Sequence, residues 1–266
     1  EKPAVLDDTN QIRDITSVIE DLNQNNINDE TLKKVSNLDL SNLPVINKNV
    51  RIGACVYNPQ KFIGIGLNYS DHALETGMEA PKEPIIFLKA NNSISGPNDT
   101  VIIPKNSKKT DWEIELGIII GKKTQYINED ESQDHIFGYC IVNDVSEREF
   151  QIERSGTWDK GKGCDTFGPI GPYLVTKNEF NNIQDLNMEL KVNGKIMQKG
   201  NTSKMIFGVN YLVAYISNFM TLYPGDIITT GTPPGVGMAR KPQVFLKNGD
   251  EMMLTIDNLG TQKQRV

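Results

Sequence analysis

Two carboxylates stand one residue apart within an otherwise apolar run in the stretch Asp111-Trp112-Glu113-Ile114-Glu115-Leu116-Gly117-Ile118-Ile119-Ile120-Gly121. Side chains alternate faces along a β-strand, so Glu113 and Glu115 are predicted to share one side, opposite Trp112, Ile114 and Leu116. Two like charges on a half-buried face are costly unless a positive group lies between them. A divalent cation would supply that charge. The stretch alone leaves open a second interpretation, an acidic face of a solvent-exposed edge strand.

A third carboxylate follows the next apolar run, Phe137-Gly138-Tyr139-Cys140-Ile141-Val142-Asn143-Asp144. This run also has the character of a strand, and Asp144 comes at its end, where a rigid sheet presents side chains to a site. No histidine or cysteine accompanies the three acids at ligand spacing, and carboxylate oxygens suit Mg²⁺, Mn²⁺ or Ca²⁺. We therefore expect Glu113, Glu115 and Asp144 to bind Mg²⁺ (or Mn²⁺), with positions left for water and a chelating substrate.

The composition is that of an ordinary globular protein of 266 residues. The length fits one large domain with a small appendage, which we expect over residues 59–266 and 1–58 respectively. The net charge of −6 and the scattered lysines and arginines argue against a nucleic-acid partner. No apolar run reaches the ~20 residues of a membrane span, and three unevenly spaced cysteines resemble reduced thiols. We expect a cytoplasmic enzyme without a membrane partner.

From Lys61 onward, short apolar runs separated by Gly, Pro and Asn predict a sheet-rich core. Val192-Asn193-Gly194-Lys195 predicts a two-residue hairpin turn, since Asn-Gly accepts positive φ angles. Apolar spacing predicts one long helix over about 206–222 and a helical face on Ile12, Ile15, Val18 and Ile19. The predicted strands lie near 61–66, 85–89, 112–120, 137–143, 186–192, 226–230 and 252–257.

A candidate catalytic pair lies in Gly64-Ile65-Gly66-Leu67-Asn68-Tyr69-Ser70-Asp71-His72-Ala73-Leu74-Glu75. If a short helix follows the glycines, His72 and Glu75 share one face at i, i+3. A carboxylate beside an imidazole fixes its tautomer and prepares it as a proton acceptor. The alternative is a casual contact on a surface helix, since such pairs are common and weak.

Further polar residues follow Asp144. Arg148 and Gln151 would stack at i, i+3 near the metal if a helix begins there, and Arg148 offers a fork for carboxylate oxygens. The glycine-rich segment 158–169 lacks the Gly-Lys-Ser/Thr of a phosphate loop, so Lys162 is expected to balance the acids, and Cys164 is a weaker nucleophile candidate. In the segment 229–237, Thr232 could donate to a ligand, although a structural turn explains the glycines and prolines equally well.

Together these segments, from about residue 62 to the C-terminus, resemble the fumarylacetoacetate hydrolase family. The resemblance implies an α+β fold with a mixed β-sheet roll, few helices and a small N-terminal domain, and a homodimer. It implies His72 and Glu75 as the water-activating pair on a mobile lid, and Glu113, Glu115 and Asp144 as ligands of Mg²⁺ or Mn²⁺. Lys162 joins the catalytic residues. The residues that it implies in substrate binding are Arg148, Gln151, Thr232, Tyr69 and Lys89.

Within that family the chain is most similar to the branch of ureidoglycolate lyases and hydrolases of 2,4-diketo-3-deoxy sugar acids. The resemblance implies hydrolytic C–C cleavage of an acylpyruvate-type 2,4-dioxo acid, with a small 2-oxo acid as the partner molecule. The alternatives are an isomerase, tautomerase or decarboxylase of a 2-oxo or 2-hydroxydienoic diacid, or a ureidoglycolate lyase. A non-catalytic protein with structural Ca²⁺ would leave His72, Arg148 and Lys162 without a reason to share a site.

Overall fold

The computed structural model describes residues 2–47, 49–77 and 79–266. In this part of the chain the strands are β1 (Ala4–Leu6), β2 (Ile12–Asp14), β3 (Val45–Ile46), β4 (Phe62–Gly66), β5 (Ile85–Lys89), β6 (Ile94–Ser95), β7 (Thr110–Asp111), β8 (Ile114–Ile120), β9 (Ile136–Asn143), β10 (Ser146–Glu147), β11 (Gly168–Thr176), β12 (Asn187–Val192), β13 (Lys195–Asn201), β14 (Ile227–Thr229), β15 (Glu251–Ile256) and β16 (Gly260–Arg265). The α-helices are α1 (Asp29–Ser36), α2 (Ser70–Thr76), α3 (Ser132–His135), α4 (Asp159–Lys162) and α5 (Val209–Ser217). A π-helical turn spans Glu149–Glu153.

Two sheets build the main body. The larger has the strand order β5-β4-β14-β8-β9-β11-β6, and its β14–β4 and β11–β6 pairs are parallel while the other pairs are antiparallel. The smaller is antiparallel, in the order β13-β12-β15-β16. The prediction of an α+β fold with a mixed, curled sheet and few helices is confirmed.

Each face of the larger sheet has its own apolar core. Trp112, Ile114 and Leu116 point into the first core, together with the smaller sheet and α5. Ile119 points into the second, where Ile27 and Val56 from the N-terminal region cover the other face. The predicted alternation is therefore confirmed, because Glu113 and Glu115 lie opposite the Trp112 side of the chain.

The larger sheet curls until its two ends meet. Strand β5 is an edge strand, separated from β9 by β4, β14 and β8 in the strand order. Nevertheless, Nζ of Lys89 in β5 lies 2.6 Å from Oδ1 of Asp144, which follows β9. The concave space inside this roll holds the polar residues that the sequence singled out.

Several predicted elements differ from the structure. The helix expected over 206–222 is α5, which ends at Ser217, well before Pro224-Gly225. The helical face expected near Ile12 is strand β2, and a helix forms instead at α1, where Asn28 accepts a hydrogen bond from the Thr31 N–H. Tertiary packing overrides a short periodic pattern in both cases. The Asn193-Gly194 hairpin is confirmed, with φ angles of 50° and 76° between β12 and β13.

Candidate active site

Three acidic side chains converge inside the roll. Ligand oxygens of Glu113, Glu115 and Asp144 all lie within 4.8 Å of one another, and all three residues are buried. The strand register explains this: the Asp144 N–H donates to the Glu113 carbonyl, so the two residues are neighbours across β8 and β9. Glu115 lies two residues further along the same face. Three carboxylates at this spacing form a donor set of the kind that Mg²⁺ and Mn²⁺ use.

Buried cations neutralise two of these acids. Nζ of Lys162 lies 2.6 Å from a carboxylate oxygen of Glu113 and 2.6 Å from one of Asp144. Arg148 Nη2 adds a second contact to Glu113 at 2.7 Å. Burial alone would raise the pKa of Glu113, but Lys162 and Arg148 together hold that pKa well below its ordinary value. The Lys162 ammonium therefore bridges Glu113 and Asp144, and Glu113 stays anionic.

Glu115 has a different environment. Its Oε2 accepts hydrogen bonds from the Thr229 hydroxyl at 2.5 Å and the Gly231 N–H at 2.8 Å. Within residues 2–47, 49–77 and 79–266, no lysine, arginine or histidine forms an ion pair with Glu115. Burial, and then repulsion from Asp144 and Glu113, raise the pKa of Glu115 well above its ordinary value. A dication between the three carboxylates would remove this repulsion, so the residues present fit a metal site.

The predicted histidine–carboxylate pair forms on α2. His72 Nδ1 lies 3.1 Å from Glu75 Oε2, and His72 is buried while Glu75 is partly exposed. The Gly235 N–H donates to both Glu75 oxygens at 3.0 Å. Partial burial raises the pKa of Glu75, but the hydrogen bonds from His72 and Gly235 outweigh it and lower the pKa overall. Glu75 thus stays an anionic acceptor that fixes the orientation of the imidazole.

The predicted contact of Arg148 with Gln151 also forms, with Arg148 Nη1 3.0 Å from Gln151 Oε1 across the start of the π-helical turn. Arg148 Nε donates to Asp111 Oδ2 at 2.9 Å. Asp111 is fully buried and also accepts hydrogen bonds from the N–H groups of Gly237 and Met238, at 2.7 and 3.0 Å. Asp111 therefore connects Arg148 to the loop that holds Glu75.

The glycine-rich segment around Lys162 contains the short helix α4. Helix α4 approaches the chain before the π-helical turn so closely that a Cβ on Gly161 would lie 2.4 Å from the Glu147 carbonyl oxygen. Glycine at this position brings Lys162 to the acids. Asp159 at the start of α4 accepts the Leu88 N–H at 3.0 Å, on the edge strand β5. Burial raises the pKa of the Cys164 thiol, which does not favour Cys164 as a nucleophile.

Three expected substrate-binding residues have other contacts. The Lys89 side chain is fully buried, and its ammonium donates to Asp144 and to the carbonyls of Val145 and Lys162. Tyr69 is fully buried, with its hydroxyl 3.2 Å from Met188 Sδ. Neither residue lines the cavity that holds Glu113 and Glu115, so their substrate contacts stay a prediction. Thr232 does line the cavity, but its hydroxyl donates to the Ile114 carbonyl and accepts from Gln198.

One cavity unites the remaining candidates. Its polar lining is formed by His72, Glu113, Glu115, Arg148, Gln151, Lys162 and Thr232. Sequence reasoning missed Asp111, Gly231 and the apolar lining residues Phe87, Trp158 and Met238. Asp111 was visible two residues before Glu113, but nothing in the pattern showed that Arg148 would reach it. The cavity therefore combines a carboxylate cluster, a histidine with an acidic partner and two buried cations.

Comparison with known proteins identifies the family. Residues 61–266 match the family model described as the fumarylacetoacetate (FAA) hydrolase C-terminal domain. A protein of Burkholderia orbicola, whose provisional name is hydrolase, is 55% identical over 266 residues, which is 100% of this chain and 94% of that protein. The chain belongs to the fumarylacetoacetate hydrolase family, and it is an enzyme of that family.

Solved structures of the family agree in fold. A fumarylacetoacetate hydrolase from Exiguobacterium antarcticum is 33% identical, with a TM-score of 0.88 over 100% of this chain and 94% of that one. A maleylpyruvate hydrolase from Sphingobium sp. SYK-6, in complex with manganese(II) and pyruvate, is 30% identical, with a TM-score of 0.84 over 100% and 95%. A 5-carboxymethyl-2-hydroxymuconate delta-isomerase from Mycobacterium smegmatis is 36% identical, with a TM-score of 0.72 over 84% and 86%. Hydrolases and isomerases thus share this fold.

Proposed function

We propose that the protein is a Mg²⁺- or Mn²⁺-dependent hydrolase that cleaves an acylpyruvate-type 2,4-dioxo acid into pyruvate and a second acid. The observation that carries this proposal is that Glu113, Glu115 and His72 line one cavity, with Asp144 completing the carboxylate cluster and Glu75 in contact with His72. The manganese and pyruvate bound to the Sphingobium hydrolase support it. The proposed metal ligands are Glu113, Glu115 and Asp144. The chemistry that a bound metal supplies is stabilisation of negative charge on the oxygens of the departing pyruvate unit.

The side chains supply the proton transfers. His72 Nδ1 is held by Glu75, so Nε2 is the proposed acceptor of a proton from water. Water adds to the 4-oxo carbon, the bond between C3 and C4 breaks, and C3 receives a proton, so that one water is consumed for each pyruvate and second acid released. Lys162 and Arg148 are proposed to stabilise the substrate oxygens, and Gln151 to orient Arg148. Lys89 is proposed to hold Asp144 in place.

Pyruvate release tests the proposal. The purified chain is stripped with a chelator and incubated with acetylpyruvate, with and without added Mg²⁺ or Mn²⁺, while the enol absorbance and free pyruvate are followed together. We expect stoichiometric pyruvate only when metal is present. Absence of pyruvate with every 2,4-dioxo acid offered would refute the hydrolase.

An isomerase is the second candidate, and the likeness to the Mycobacterium smegmatis isomerase favours it. An isomerase changes the absorbance of a 2-hydroxydienoic diacid but conserves its mass and releases no pyruvate. Mass spectrometry of the reaction mixture therefore separates the two activities.

The homodimer, the cytoplasmic location and the domain division at residues 58 and 59 stay predictions. Among the described residues, no helix has the length and apolar character needed to cross a bilayer.

Asp111→Asn is expected to lower kcat about 10- to 100-fold. This range is typical of residues that hydrogen-bond to the site residues and fix their orientation. The reason is that Asp111 orients Arg148 and holds the loop of Gly237 and Met238. Steady-state kinetics with acetylpyruvate would measure the change. Asp99→Asn is the control, because Asp99 pairs with Arg51 at the surface. Equal kcat values for the two variants would contradict the role proposed for Asp111.

A further inference from the structure

The cavity wall has two chemically different parts. The polar part holds Glu113, Glu115 and His72 together with the buried cations Arg148 and Lys162. The apolar part consists of Ile65, Leu67, Phe87, Ile152, Trp158 and Met238. A 2,4-dioxo acid also has two parts. Its 2-oxo acid end is always polar, whereas the polarity of its acyl group differs from one substrate to another. The apolar part of the wall is therefore the part of the cavity left for the acyl group.

Two aromatic rings form the centre of the apolar wall. The Lys162 ammonium lies 4.9 Å from the centroid of the Phe87 ring, so the wall begins beside the polar part. The Trp158 ring continues it, with its centroid 5.5 Å from that of Phe87. The far edge of Trp158 packs on the Gly66 backbone, where an added Cβ would lie 2.4 Å from Cζ3. The wall thus extends from Lys162 to the end of β4.

The mouth of the cavity is also apolar. Ile152 lies on the π-helical turn and is 49% exposed, although it lines the cavity. An apolar side chain in that position would gain from contact with an apolar acyl group, because both surfaces would be removed from water.

The cations that line the cavity already have anionic partners. Arg148 donates to Asp111, Gln151 and Glu113, and Lys162 contacts Glu113 and Asp144. A second carboxylate at the far end of the substrate, beyond Phe87 and beside Trp158, would lose its hydration where the described cavity lining offers apolar side chains. Such burial is costly, and hydroxyl groups of a sugar chain would also lose hydrogen bonds.

We propose that the site selects 2,4-dioxo acids whose acyl group ends in an alkyl chain or an aromatic ring, over those that end in a carboxylate or a polyhydroxy chain. The proposal rests on the hydrolase function proposed above. It replaces the deoxy sugar acids that the sequence resemblance implied with an apolar class of substrate.

A matched substrate series tests this selection. The full chain, loaded with Mg²⁺, is assayed for pyruvate release from acetyl-, hexanoyl-, benzoyl- and succinylpyruvate and from a 2,4-diketo-3-deoxy sugar acid. We expect kcat/KM for hexanoyl- or benzoylpyruvate to exceed that for the last two substrates by roughly 10- to 100-fold, the scale of pocket discrimination. A preference for succinylpyruvate or the sugar acid would overturn the selection while leaving the hydrolase intact. No pyruvate from any member would refute both proposals.

Two variants locate the selection in the wall. Trp158→Ala should lower the ratio of kcat/KM for hexanoylpyruvate to that for acetylpyruvate about tenfold, because the longer chain loses its contact surface. Ile152→Arg should raise the relative kcat/KM for succinylpyruvate by placing a cation at the mouth. Ile196→Arg is the matched control, since Ile196 is 48% exposed on β13 and does not line the cavity. Unchanged substrate ratios in both wall variants would overturn the assignment.

Discussion

Glu115→Gln is expected to lower kcat/KM by at least about 10³-fold and to remove metal binding, without unfolding the protein. Metal stabilisation of developing charge contributes several kcal/mol, and each 1.36 kcal/mol corresponds to a tenfold change in rate. Glu115 is the best position for this test. Glutamine can still accept the hydrogen bonds from Thr229 and Gly231, and no buried cation loses its partner. The same change at Glu113 would leave Lys162 and Arg148 partly unpaired, which is itself destabilising.

Mn²⁺ titration followed by electron paramagnetic resonance would measure binding, and thermal unfolding would report on the fold. Burial raises the pKa of Glu115, so the uncharged amide is expected to leave the metal-free protein at least as stable as the parent. Glu189→Gln, at a partly exposed ion pair with Lys191 on β12, is the matched control. A Glu115→Gln protein that binds Mn²⁺ with parental affinity and retains turnover would exclude the three-carboxylate site.

His72→Ala is expected to reduce kcat about 10²- to 10⁴-fold, the usual contribution of a general base. Metal binding should persist, because His72 is not among the proposed ligands. Glu75→Gln should give a smaller loss, since the imidazole remains but its hydrogen-bond partner at Nδ1 loses its charge. Rates with Mg²⁺ at saturating acetylpyruvate would measure both.

The chain offers a close control in His135, its second histidine, which contacts the Thr124 hydroxyl at 2.9 Å through Nδ1 and does not line the cavity. His135→Ala should retain parental turnover. Parental kcat in the His72→Ala protein would exclude His72 as the base, whereas loss of Mn²⁺ binding in that protein would move His72 into the metal site.

The parts of the fold that sequence predicts well are those with strong local patterns. The alternation around Glu113 and Glu115 predicted β8, and the Asn193-Gly194 turn predicted its hairpin, because each depends on residues close in sequence. Helix α5 was predicted too long: Phe219 continues the apolar spacing but is 62% exposed beyond the helix end. The apolar spacing therefore extends past the helix to a residue, Phe219, that does not pack in the core.

The sequence predicted the acidic residues of the candidate site better than it predicted the side chains that contact them. Glu113, Glu115 and Asp144 converge because β8 and β9 pair directly, with Ile114 opposite Asn143, and the two glutamates share one face. Lys89 of the edge strand β5 reaches Asp144, a contact that depends on how far the sheet curls. The partnership of Asp111 with Arg148 depends on the pairing of β7 with β10, which places Ser146 opposite Asp111. The spacing of residues within one segment cannot predict a contact between strands that are far apart in the sequence.

The closure of the roll also has a consequence for how activity is acquired after synthesis. Lys89 and Asp144 are separated by 55 positions, Glu115 and Thr229 by 114, and Glu75 and Gly235 by 160. Bringing such distant partners together costs loop-closure entropy, and contacts of this kind therefore form slowly. Catalytic competence should therefore return after the secondary structure during refolding from denaturant, and a nascent chain should remain inert until its last hundred residues have emerged.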